Sequence, residues 1–346
     1  MPRSSRLRRP SLVTALVAVA ALALTGCGGG SSDEVGGGDV DNSRGTLHLY
    51  AYATPKPGFD EVVPAFNETE AGEGVEVVPS YGASGDQSRK VAKGADADVV
   101  NFSVEPDITR LVDAGLVDPD WNADANKGIP FGSVVTLVVR EGNPKGIRDW
   151  DDLLRPGVEV VTPNPFSSGS AKWNLLAPYA AESEGGKNPQ AGLDYLSELL
   201  SPEHVKVQPS SGRMATDTFL QGVGDVLISY ENEAIFAERQ GDPIEHVVPP
   251  ITFKIENPVA VLKSSRHPER AAAFRDFLYT PAAQRAWAEA GFRPVDPQVM
   301  ADFAAEFQQP RTLWTIADLG GWQTVDQELF TQGSGGIATI YERTTG

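Results

Sequence analysis

The sequence predicts an α/β protein, on three observations. Short β-branched and aromatic runs alternate with stretches carrying apolar residues at helical spacing. Ser/Gly-rich segments punctuate the joints between them. Forty per cent of the 346 residues are apolar, enough for a sizeable core and, at this length, for two domains.

Thr46–Tyr52 (TLHLYAY) reads as a strand by alternation and aromatic content, and residues 59–66 follow at helical spacing. Residues 75–79 (VEVVP) form a second strand, 87–93 a short helix and 97–102 (ADVVNF) a third strand. Residues 134–140 (VVTLVVR) suit a strand covered on both faces. Further strands are expected at 158–162, 205–208 and 226–230, with helices at 171–181 and 191–200. Residues 267–278 make another helix. Thr280 then reads as an N-cap, Pro281 as N1 and Gly291 as the stop of a helix ending near Ala290. Such alternation implies parallel sheets built from strand–helix–strand units. No segment repeats at a period of 20–50 residues.

The first residues read as an address. Arg3, Arg6, Arg8 and Arg9 precede the uncharged run from Leu12 to Leu24, which is the length of a signal-peptide core and too short to span a bilayer. Leu24-Thr25-Gly26-Cys27 matches a lipobox, with the chain's one cysteine at the position that is lipidated. Residues 1–26 are therefore expected to be a lipoprotein signal peptide, and removing their four arginines takes the net charge from −18 to −22. Residues 27–45, rich in glycine, serine and acid, read as a flexible tether with a reach on the order of 23 Å. Such a tether suits a body that hands cargo to a membrane partner. No later stretch is long and apolar enough to span a membrane.

A single Cys excludes a disulfide framework and a multi-cysteine metal site. The acidity, with no basic block past residue 10, argues against nucleic-acid binding. His48, His204, His246 and His267 form no metal-ligand pair, and there is no nucleophile elbow, phosphate-binding loop or dinucleotide fingerprint. An extracytoplasmic hydrolase would need a metal or a nucleophile–base pair, and the sequence offers neither. A surface adhesion module would instead predict an exposed apolar face. No cofactor is implied.

Three clusters stand between a strand and a helix: Ser80–Gln87 (SYGASGDQ), Ser167–Trp173 (SSGSAKW) and Ser210–Thr216 (SSGRMAT). Each can be an ordinary helix cap. Each also leaves the helix's first N–H groups free, adds hydroxyl donors and lets backbone approach a ligand closely, which together make an anion cradle. In so acidic a chain such a site must work by short-range hydrogen bonds.

At these residues the chain resembles the sulfate-binding proteins of bacterial ABC importers, in the type II periplasmic solute-binding superfamily. Residues 80–87 look like that family's S-[HY]-G-G-S-G-K-Q loop, and residues 140–153 (REGNPKGIRDWDDL) its R-K-G-N-P-K-x-I-x-D-W-x-D-L block. Residues 156–174 (PGVEVVTPNPFSSGSAKWN) and 213–234 continue the likeness, which covers about 290 residues. The resemblance implies two α/β lobes with the ligand in the interlobe cleft: lobe I from residues 46–131 plus 254–346, and lobe II from residues 132–253. It implies a monomer on the outer face of the cytoplasmic membrane, anchored at Cys27 and docking on a permease. It implies a dehydrated sulfate held by neutral donors from Thr54, Ser84, Ser168, Gly169, Ser170, Gly212 and Tyr230, with Lys172 and Arg213 as positioning groups and no metal.

Three positions depart from the family pattern: Tyr230 stands for Trp, Ser170 for Gly and Thr54 for Asp. Each changes a donor near the ion and leaves selectivity among sulfate, thiosulfate, molybdate and phosphate open. Polyamine or ferric cargo would call for cleft carboxylates or a tyrosine pair such as Tyr81 and Tyr230. Phosphate at neutral pH carries a proton and needs an acceptor in its site, whereas sulfate needs donors only. Asp86 and Asp217 are the nearest acids to these loops and read as partners of the helix dipole.

Overall fold

A computed structural model describes residues 45–345. Cys27, the basic and apolar segments before it and the tether up to residue 44 lie outside the described residues.

β1 (Thr46–Tyr52), α1 (Lys56–Asn67), β2 (Glu76–Gly82), α2 (Ser84–Ala92), β3 (Val99–Asn101) and α3 (Glu105–Asp113) come first. β1 lies between β2 and β3 and is parallel to both. Its alternation sends Leu47, Leu49 and Ala51 into one apolar cluster with Phe59, Val62 and Phe66 of α1. Tyr50 packs on the other face, against the cluster formed by Val100, Ile108 and Leu111. This sheet is thus covered on both faces, as a parallel sheet must be.

The second half begins with β4 (Phe131–Arg140), of whose ten residues nine are buried. It continues through β5 (Val160–Val161), α4 (Gly169–Glu182), α5 (Pro189–Leu199), β6 (Val205–Val207), α6 (Gly212–Leu220), β7 (Val226–Tyr230), α7 (Glu231–Gln240), β8 (Ile244–Val247) and β9 (Ile251–Asn257). β5 is parallel to β6 and β7. β4 is antiparallel to β7, β8 and β9, so this sheet is mixed where strand–helix alternation alone implied parallel pairing. The reason is connectivity. β4 carries the chain out of the first sheet, and β9 runs beside it the other way. β10 (Val259–Val261) then re-enters the first sheet antiparallel to β3.

α8 (Pro268–Phe277) and α9 (Pro281–Glu289) close over the first sheet, with Phe274 and Trp287 in its cluster. The expected cap is present: Thr280 Oγ1 accepts from the Ala283 N–H at 3.4 Å, and Gly291 takes φ +89°, the left-handed conformation that glycine alone adopts cheaply. β11 (Arg293–Pro294), α10 (Pro297–Asp302), β12 (Thr312–Trp314), α11 (Gly321–Val325) and α12 (Gly336–Thr345) complete the chain.

The last elements differ from the division read in the sequence, which grouped all of 254–346 with residues 46–131. β12 pairs with β9, and Trp322, Val325, Phe330, Ile337 and Ile340 share one apolar cluster with Trp173 and Leu176 of α4. The indole of Trp322 meets that of Trp173 edge-on, with ring centroids 4.8 Å apart. Apolar burial therefore draws residues 312–345 onto the second sheet.

The loops that hold the sequence's candidate residues all follow the carboxyl ends of β1, β2, β5, β6 and β7. That is where ligands bind in open α/β sheets.

Candidate functional site

Thr54, Ser84, Ser168, Ser170 and Tyr230 are each buried, although they sit on loops or helix starts. Two glycines show what they converge on. A β-carbon on Gly212 would lie 2.8 Å from Ser170 Oγ and 3.4 Å from Thr54 Oγ1. The α6 start, the α4 start and the β1–α1 loop therefore meet at one point. A β-carbon on Gly169 would lie 2.7 Å from Cβ of Ser103, which stands two positions after the end of β3. Glycine at both places permits the close approach that any side chain would block.

Ser103 is fully buried and joins the two halves. Its Oγ is 2.7 Å from the Tyr230 hydroxyl, and its carbonyl accepts from Trp173 Nε1 at 2.7 Å and from Asn257 Nδ2 at 3.2 Å. Its N–H donates to Ser84 Oγ at 3.0 Å. The Gly85 N–H donates to the Ser167 carbonyl at 3.3 Å, a second bond between the start of α2 and the loop before α4. The sequence reading did not single out Ser103. It lacks the Ser-Gly signature, and its one signal is the Ser-x-x-Pro run into α3 at the end of a strand.

The helix starts are not equivalent. Ser211, the N-cap of α6, accepts from the Met214 N–H at 3.2 Å and is an ordinary capping serine. Ser168, the N-cap of α4, makes no side-chain cap bond. Ala83, the N-cap of α2, has no side chain able to make one. The first N–H groups of α4 and α2 are thus uncapped by their own N-cap side chains. Ser84 differs from expectation: its hydroxyl donates to Asp107 Oδ2 at 2.6 Å. A buried carboxylate is the strongest acceptor in reach, so what Ser84 offers the cleft is its backbone N–H.

Charge around the site is paired off. Arg213 Nη2 lies 2.7 Å from Glu233 Oε1, Arg110 Nη1 lies 2.8 Å from Asp107 Oδ1, and Arg293 grips Glu231 through two bonds of 2.7 and 2.9 Å. Burial pushes the Glu233 carboxyl above the usual carboxylate range, against the pull of Arg213 and Thr216. Burial likewise drives the Tyr230 phenol well up, outweighing hydrogen bonds from Ser103, Ser170 and Asn257, so it stays neutral. Lys172 does not turn toward the donor loops; it pairs with Asp326 and lies over the Phe330 ring, 4.8 Å from its centroid. Asp86 pairs with Arg89, and Asp217 is exposed. Among the described residues, no three His, Cys, Asp or Glu side chains come together to hold a metal. The arrangement offers donors to a ligand, with Asp86, Asp107, Glu231 and Glu233 each bound to an arginine.

The model of the bacterial extracellular solute-binding protein family matches residues 47–293. The chain belongs to this family. The sulfate-binding protein of Synechococcus elongatus is 38% identical over 344 residues, covering 96% of this chain and 95% of its own. The sulfate-binding protein of Escherichia coli is 34% identical, covering 80% of this chain and 86% of its own. A thiosulfate-binding protein of Pseudomonas aeruginosa is also 34% identical, over 86% of this chain and 92% of its own. Among solved structures, the sulfate-binding protein SubI from Mycobacterium tuberculosis H37Rv superposes with a TM-score of 0.81 at 68% identity. It covers 83% of this chain and 99% of that one. A periplasmic thiamin binding protein, with a TM-score of 0.68 at 16% identity, shares the fold alone. The fold is that of the type II periplasmic binding proteins, and these relatives are binding proteins. Among the described residues, no helix is long and apolar enough to cross a membrane.

Proposed function

We propose that this chain is an extracytoplasmic receptor that captures sulfate between two lobes and delivers it to an ABC permease. One observation carries the reading. The starts of α2, α4 and α6 converge with the neutral Tyr230 hydroxyl, while Arg110, Arg213 and Arg293 are each committed to a carboxylate. Partial positive charge from helix ends, backbone N–H groups and hydroxyls would offset the dianion's charge. The same pairing occupies the buried carboxylates Asp107, Glu231 and Glu233, which could otherwise accept the proton of phosphate, and so favours an oxyanion without one. The names of the relatives support sulfate, with thiosulfate as the second reading.

In this account, lobe I is built around the first sheet and lobe II around the second, with β4 and β9 as the crossovers. Thr54, Ser84, Ser103, Ser168, Gly169, Ser170, Gly212 and Tyr230 surround the ion. Ser103–Tyr230 and Gly85–Ser167 are closed-state contacts, and a monomer that closes on its cargo presents the shape a permease accepts. Cys27 carries the lipid that holds the protein at the outer face of the cytoplasmic membrane.

Millimolar sulfate is expected to raise the melting temperature, by the equivalent of about 2.7 kcal/mol at a hundredfold excess over Kd. A protein indifferent to sulfate and shifted by phosphate or by an amine would overturn the cargo assignment. Cys27→Ser is expected to move the protein from the membrane fraction to the medium; continued membrane retention would remove the anchor.

A further inference from the structure

The chain carries a net charge of −18, so its long-range field repels a dianion. A local exception near the site is a cavity of about 530 Å³ between α2 and α6. It is lined by Arg89, Lys90, Lys93 and Arg213, against a single acid, Asp86, and by the exposed thioether of Met214. Ala83 and Ser211, the N-caps of α2 and α6, belong to its wall, so the cavity opens onto the helix starts described above. A neighbouring groove shares Ala53 and Arg213 but carries Asp60 and Glu61 against Lys56, which itself pairs with Asp60 at 2.6 Å. Positive charge is thus concentrated on the α2–α6 side.

These cations do not complete the site. Arg213 is spent on Glu233, and Arg89 on Asp86. Lys90 and Lys93 are exposed at the end of α2. Screening at physiological ionic strength limits charge effects to roughly 8 Å, so an approaching ion feels the nearest few side chains more than the whole surface. We propose that the α2–α6 cavity is the admission port for a small dianion. Its cations raise the capture rate and leave the grip on the bound ion unchanged. The inference rests on the oxyanion reading above and adds the route and the residues that set its rate.

Stopped-flow tryptophan fluorescence tests it, with sulfate as the probe, since Trp173 bonds across to Ser103. In the wild type, kon is expected to fall as KCl rises from 150 to 500 mM, a range in which the remote charges are already screened and only local attraction is left to lose. A kon that rises with salt means that net repulsion governs approach and overturns the port. Lys90→Gln with Lys93→Gln is expected to lower kon severalfold at 150 mM KCl with koff unchanged. Lys145→Gln with Lys187→Gln makes the same change in net charge elsewhere. Lys145 sits beside Asp225 before β7, and Lys187 lies beyond the far end of α4. That pair is expected to leave kon unaltered. Equal losses from both pairs, or a loss confined to koff, would contradict the port. No sulfate signal in any variant would instead remove the cargo assignment on which it rests.

Discussion

The starts of α4 and α6 carry the same tripeptide, Ser167-Ser168-Gly169 and Ser210-Ser211-Gly212, and the fold uses them differently. Ser211 closes its own helix onto Met214, whereas Ser168 leaves its helix uncapped. The two loops also touch, Ser167 Oγ donating to the Ser210 carbonyl at 2.8 Å. The α4 glycine abuts Ser103 from the first sheet; the α6 glycine abuts Ser170 and Thr54. Local sequence makes both capable of capping. Tertiary placement opposite Ser103 and Tyr230 sets one of them apart, and the proposed function makes it the one that meets the ligand.

The largest expected effect comes from filling the glycines. Gly169→Ala puts a methyl against the Ser103 backbone-anchored side chain, which cannot retreat, and is expected to cost at least a hundredfold in sulfate affinity, about 2.8 kcal/mol. Gly212→Ala meets the tips of Ser170 and Thr54, which can rotate, and is expected to cost less. Calorimetric titration of both checks the order, and an affinity in Gly169→Ala equal to the wild type would separate this contact from binding. Next come the serines themselves. Ser168→Ala is expected to lower affinity about tenfold, as loss of a bond to a charged partner does, with little change in melting temperature. Ser211→Ala is expected to do the reverse, costing about 1 kcal/mol of stability with affinity nearly intact. If both variants lose stability alike, the contrast between the two helix starts is gone. Tyr230→Phe strands the buried Ser103 hydroxyl and is expected to cost about 1–3 kcal/mol, read as weaker binding by calorimetry. An unchanged affinity would make the phenol a spectator.

Much of this was legible in the sequence because alternation and capping are local. β1, α1, α4, β7 and the Thr280–Gly291 helix follow from apolar spacing and cap chemistry alone. The Ser/Gly clusters marked three of the loops that converge. What escaped depends on partners distant in the chain. The antiparallel course of β4 is set by β9, more than a hundred residues later. The home of residues 312–345 is set by Trp173 and α5. Ser103 has no motif of its own, and its importance lies in Tyr230, Trp173 and Asn257 reaching it. The hydroxyl of Ser84 was claimed by Asp107, a neighbour no spacing rule pairs with it.

The contrast between donors and paired charges is tested most directly by calorimetric titration of the purified protein with sulfate and with phosphate from pH 6 to 8.5. Neutral donors gripping an unprotonated ion require a sulfate affinity that is flat across that range, no proton exchanged with buffer, and phosphate at least a thousandfold weaker at pH 7. A sulfate affinity that follows a titration curve, or phosphate bound as tightly as sulfate, would contradict the account.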